Sequence, residues 1–189
     1  QWLQEHHARD VGITSRDGLR LHGVLVPHEN AVGSILLFHG YRSHPLTDFS
    51  GGTELCFQME HNVLLIDQRA HGRSEGSTIT FGIRERWDCL AWTEYAAKRW
   101  PETPIVLLGI SMGASTVLMA AGTPLPPQVK GVLADCGFST AREIIQKVIH
   151  QLKLPPKLLY PFVRLGAWLY GGFKLESYSA LEAVKTATV

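Results

Sequence analysis

The chain has 189 residues, enough for one domain, and its 45% hydrophobic and 19% charged residues allow a sizeable core. A formal net charge of +1 lacks the basic footprint of a nucleic-acid binder. Three cysteines, Cys56, Cys89 and Cys136, are too few and too odd in number for a disulfide framework. Each lies in an apolar or helical stretch and is expected to be a buried free thiol. The opening Gln1-Trp2-Leu3 shows no basic and apolar regions of a secretory leader. A reducing, cytoplasmic setting is expected.

Short apolar runs alternate with longer helical stretches, which predicts an α/β fold with a mostly parallel, doubly wound sheet. RDVGIT (9–14) and LRLHGVLVP (19–27) form a hairpin pair around Asp17-Gly18. GSILLFHG (33–40) is a buried strand, and LTDFSGGTELCFQMEH (46–61) the following helix despite its glycines. NVLLIDQ (62–68) is another buried strand. The stretch 81–100 is a strong helix, with Trp87, Leu90, Ala91 and Tyr95 on one face and Arg and Glu on the other. PIVLLG (104–109) is a strand, Met112 to Ala121 a helix, and VKGVLADCG (129–137) the last clear strand.

After Phe138 the pattern becomes helix, double proline, helix. Apolar residues recur at Ile145, Val148, Ile149 and Leu152, then at Leu158, Phe162, Leu165 and Leu169, all at helical spacing. SALEAVKTATV (179–189) reads as a short helix running into the start of a strand.

The uncharged stretch PIVLLGISMGASTV (104–117) fits two patterns: a G-x-S-x-G turn and the G-x-x-x-G face of a membrane helix. A spanning helix needs about 20 mostly apolar residues. Pro124, Pro126 and Pro127 end the run early, and the aliphatic IVLL suits a buried parallel strand. The turn is the better reading. On a sharp strand-to-helix turn, Gly109 and Gly113 relieve crowding on either side of Ser111, whose hydroxyl then stands at a helix N-terminus rich in free N–H groups. Gly40 ends an earlier strand and lets the Tyr41 N–H point at a ligand; with the Met112 N–H it would form a two-donor oxyanion hole. His39 is read as fixing its loop. Asp67, Arg69, His71 and Arg73 match no metal template, and Asp67 and Arg69 are read as tying a loop down. No phosphate cradle, nucleotide-cofactor fingerprint or zinc spacing is present, so no cofactor and no metal are expected.

HGYRS (39–43), DQRAHGRSEG (67–76), GISMGAS (109–115) and ADCGFST (134–140), in that order at three strand ends and beyond, resemble the α/β-hydrolase superfamily, and most closely small esterase-like serine hydrolases with a helical lid after the sixth strand. The resemblance implies an α/β-hydrolase core over 1–137, a helical lid over 138–175 and the start of a C-terminal core segment over 176–189. It implies a carboxylesterase-like acyl transfer through Ser111, with Tyr41 and Met112 as hole donors and a small-molecule acyl substrate. In that family the acid and then the histidine follow the nucleophile. The chain ends where a seventh strand is expected, so the last strands, the acid and the general-base histidine are expected to be missing and the chain alone nearly inactive. Asp135 either orients a base or anchors the lid's first turn. A catalytically silent, hydrolase-like binding module is the alternative. An open sheet edge implies a companion C-terminal fragment or self-association. Membrane contact through the lid is the lesser reading; an apolar lid face covering the acyl pocket is favoured.

Overall fold

The computed structural model describes residues 2–189. Alternate side chains of its central strands bury on opposite sides, which makes the fold a three-layer sandwich. In β3 (Gly33–Phe38), Ile35 and Leu37 join one apolar cluster while Leu36 and Phe38 join another. In β4 (His61–Ile66), Val63 and Leu65 divide from Leu64 and Ile66 in the same way. Strands buried on both faces read as continuous aliphatic runs, as these do.

The sheet order is β1-β2-β4-β3-β5-β6. The antiparallel hairpin β1 (Arg9–Thr14) and β2 (Arg20–Val26) leads in, with Gly18 at φ +87° in the turn. From β4 onward the strands run parallel: β4 beside β3, then β5 (Ile105–Ile110) and β6 (Val129–Asp135). The helices of the core are α1 (Trp2–Glu5), α2 (Pro45–Asp48), α3 (Ser50–Gln58), α4 (Glu85–Arg99) and α5 (Met112–Ala121). The expected single helix over 46–61 is therefore two, interrupted at Phe49, which is buried against the sheet.

Two expectations shift. The buried face of α4 is Glu85, Asp88, Cys89, Trp92, Thr93, Ala96 and Ala97, whereas Trp87, Leu90, Ala91 and Tyr95 are only half-buried. Two carboxylates sit inward because each has partners: Glu85 accepts from the N–H groups of Thr80 and Gly82 at 2.7 and 2.8 Å, and Asp88 accepts from Arg69. Cys56 and Cys89 are buried free thiols as expected, but Cys136 is exposed. It follows β6, an edge strand paired only on its β5 side, whose last residues face outward.

Beyond β6 lie α6 (Ala141–Gln151), α7 (Pro156–Leu169) and α8 (Ala180–Ala183); residues 187–189 form no strand. Ile145 and Ile149 of α6 pack with Tyr160 of α7 and Leu175 in a separate small core. Val148 and Leu152 are exposed, as are Leu158, Phe162, Leu165 and Leu169. The apolar stripe of α7 therefore faces out rather than over the neighbouring cavity. No described helix is long and apolar enough to cross a membrane; the ambiguous stretch 104–117 is β5, a turn and the first half of α5.

Candidate active site

The turn between β5 and α5 is built from two glycines and a strained serine. Ser111 has φ +54° and ψ −111°, a conformation side chains rarely adopt. A Cβ on Gly109 would overlap the Gly113 carbonyl, and one on Gly113 would overlap the Phe38 carbonyl at the end of β3. The turn is anchored by the Ser111 N–H, which donates to Asp135 O at 2.8 Å. The Ser111 side chain does not cap α5, and its Oγ has no hydrogen-bond partner among the described residues.

Tyr41 N–H lies on the facing loop. Its neighbours are both taken: Gly40 N–H donates to Asp48 Oδ2 at 2.7 Å, and Arg42 N–H donates to His71 Nε2 at 3.0 Å. Tyr41 N–H itself has no partner among the described residues. Met112 N–H is the first of α5 and has no acceptor within its helix. Gly40 is packed against the turn that carries Ser111: a Cβ there would lie 3.4 Å from Ser111 Cβ. The geometry thus leaves unsatisfied donors on both loops beside one free hydroxyl.

The loop carrying Tyr41 is held by two histidines. Burial pushes the His39 imidazole down to about 4. Its Nδ1–H donates to Gly40 O at 2.8 Å, and its Nε2 accepts from Gln68 N–H at 3.2 Å. His71 packs edge-on against it, donating from Nδ1 to Arg69 O. Both ring nitrogens of each are engaged, so His39 fixes its loop as read from sequence. Asp67 and Arg69 also tie their loop down. Asp67 accepts from His22 Nδ1 at 2.8 Å and from Arg73 N–H at 3.0 Å. Arg69 forms paired bonds to Asp88 at 2.6 and 2.7 Å and to Asp17 at 3.0 Å. Burial opposes its charge, but those bonds outweigh it and hold the guanidinium ionised. No trio of His, Cys, Asp or Glu fit to hold a metal ion occurs among the described residues.

A cavity of about 500 Å³ opens over Ser111. Its walls are apolar: Phe81, Ile110 and Phe138, with Ile144, Ile145, Val148 and Ile149 of α6. Tyr41 stacks on Phe81 at 5.7 Å between ring centroids. Among the described residues, Asp48 is its one charged lining residue and no histidine lines it. Sequence reasoning missed Asp48 and Phe81, because neither belongs to a motif: Asp48 reaches the site from the end of α2 and Phe81 from a turn before α4. Asp135 contributes through its backbone; its exposed carboxylate accepts only from Cys136 Sγ, at 3.1 Å.

The sequence model of the family described as serine aminopeptidase, S33, matches residues 29–173. Among curated proteins, the uncharacterised YqkD of Bacillus subtilis is 26% identical over 174 residues, covering 91% of this chain and 57% of that protein. The uncharacterised YfhR of Salmonella typhi is 30% identical, covering 75% of this chain and 53% of that protein. The chain spans about half the length of the curated relatives it matches. Among solved structures, the esterase Pf2001 of Pyrococcus furiosus superposes with a TM-score of 0.76 at 24% identity, over 98% of this chain and 69% of that one. A second crystal form of it gives 0.69 at 25% identity, over 85% and 66%. These superpositions show the α/β-hydrolase fold.

Proposed function

The chain belongs to the serine aminopeptidase S33 family of α/β hydrolases, and on that premise we propose that it carries the nucleophile half of a serine hydrolase that cleaves carboxylic esters. Ser111 Oγ attacks the substrate carbonyl, and the developing oxyanion is met by the N–H groups of Tyr41 and Met112. The acyl group lies in the apolar cavity beneath α6, which acts as a lid. The observation that carries this reading is Ser111 itself: a serine in a strained turn, uncapped and unpartnered, facing a cavity. A bond to an acyl carbon forms as the alcohol leaves; water then releases the acid.

Both steps need a base, and no histidine among the described residues lines this cavity. The reading places the acid and the histidine outside these 189 residues, so the chain alone turns over esters orders of magnitude below the complete protein. The same observation favours a second reading, a catalytically silent module that binds a small molecule in the cavity. A fluorophosphonate probe decides. Labelling of Ser111 in the full-length protein, lost in Ser111→Ala, supports the hydrolase. Labelling that survives the substitution, or no labelling at all, overturns it.

A further inference from the structure

The stripe Leu158, Phe162, Leu165 and Leu169 shares one face of α7, since these positions are three or four residues apart. That face is turned to solvent: Leu158 is 63% exposed, Phe162 66% and Leu169 57%. Trp168 and Tyr170 stand beside it, at 56% and 92%. The opposite side of α7, through Tyr160, packs on α6. Apolar exposure on this scale marks a surface that something covers.

Charge identifies what covers it. Residues 138–175 hold six cations, Arg142, Lys147, Lys153, Lys157, Arg164 and Lys174, against a single acid, Glu143. With the whole chain at +1, this segment carries +5 and the remainder −4. Arg142 and Arg164 share Glu176, at 4.0 and 3.5 Å, but the four lysines form no ion pair among the described residues. Lys157 precedes the stripe, and Lys174 lines a cleft with Leu165 and Trp168. A second copy seated face to face would set like charges together. An anionic lipid surface would instead accept the apolar stripe into its headgroup boundary, the aromatic rings at that level and the lysines against its phosphates.

We propose that the outward face of α7 docks the protein on anionic lipid. The docking is independent of the Ser111 chemistry.

The test is co-sedimentation of the protein with vesicles of mixed phosphatidylglycerol and phosphatidylcholine, against phosphatidylcholine alone. The protein is expected to pellet with the anionic vesicles and to be released by high salt. Lys157→Gln with Lys174→Gln is expected to weaken partitioning on the order of 20-fold. Leu158→Glu with Phe162→Glu, both at exposed positions, is expected to abolish it while the circular dichroism spectrum stays unchanged. Ser111→Ala should pellet like the parent, so a parent protein that docks but neither hydrolyses esters nor takes the fluorophosphonate at Ser111 speaks only against the hydrolase reading. Protein that stays in the supernatant, whatever segment covers the stripe, overturns the proposal. So does equal binding to both vesicle types that ignores the lysine changes, or a dimer that Leu158→Glu with Phe162→Glu returns to monomer.

Discussion

Gly113, at the start of α5, rests directly on the carbonyl of Phe38, at the end of β3; a Cβ on it would overlap that oxygen and lie 2.8 Å from the His39 oxygen. The contact presses the turn that carries Ser111 against the loop that bears Tyr41. Gly113→Ala therefore forces backbone against backbone, with no flexible side chain to yield. We expect a destabilisation of about 3 kcal/mol, read as a lowered urea midpoint, together with loss of fluorophosphonate labelling at Ser111. A stable, labelled Gly113→Ala protein would show that the turn and the strand end are not in contact.

Asp48 holds the same loop from the other side. Its two oxygens take the Gly40 N–H and the Ser43 hydroxyl. Removing the carboxylate frees the peptide before Tyr41 to rotate and takes the donor off its mark. Asp48→Ala is expected to slow Ser111 labelling roughly tenfold, the order of one hydrogen bond to a charged group, with little change in the apparent affinity for the probe. Asp48→Asn, which keeps one acceptor oxygen, should recover part of that rate. An unchanged rate in Asp48→Ala would remove Asp48 from the site.

His39 makes stability depend on pH. Folded, burial lowers it to about 4 from 6.5, and its Nε2 must stay unprotonated to accept from Gln68. Between those values the unfolded chain binds more protons than the folded one, so stability is full above about pH 6.5 and is lost as pH falls towards about 4. The loss is expected to reach about 2 kcal/mol at pH 5. Urea titrations at pH 7 and pH 5 measure it, and His39→Asn should flatten that part of the profile.

Arg69 is buried with Asp88, which is equally enclosed. Arg69→Met leaves the Asp88 carboxylate without a cation and is expected to cost about 3–5 kcal/mol. Adding Asp88→Leu should restore much of the loss, because the apolar pair leaves no buried charge unmatched; only the half-exposed Asp17 loses its partner. Chemical denaturation of the single and double variants checks both outcomes.

The free side of β6 is a further liability. Leu133, Ala134 and Asp135 are exposed there, on a strand with only one neighbour. Pairing with a second copy or with a companion segment is expected, seen as mass that rises with concentration in light scattering. Leu133→Lys should suppress it, and changes on α7 should not. A strict monomer at all concentrations would count against an available edge.

Much of this was legible because chain chemistry is local. Gly109, Ser111 and Gly113 have one reading once an aliphatic strand precedes them and small residues follow, since close approach admits nothing larger. The strands announced themselves through residues buried on both faces. What failed was orientation. Periodicity finds the stripe on α7 but does not say which way it turns, and the stripe points outward. On α4 the buried face includes Glu85 and Asp88, which look like surface residues until Thr80, Gly82 and Arg69 are seen beside them. Asp48 was invisible because its partner, Gly40, is reached through a turn that no spacing rule encodes.

The α6–α7 segment touches the rest of the molecule through Phe138 with Ser115 at 2.9 Å, Ser139 O with Leu181 N–H at 3.3 Å, Gly172 O with Arg84 at 2.8 Å, and Tyr160, Arg142 and Arg164 with Glu176. None of these involves Gly40, Tyr41, Asp48, His39 or His71. Substitutions between 139 and 172 can therefore reshape the wall that α6 gives the cavity while the turn that carries Ser111 keeps its contacts with β3 and its loop.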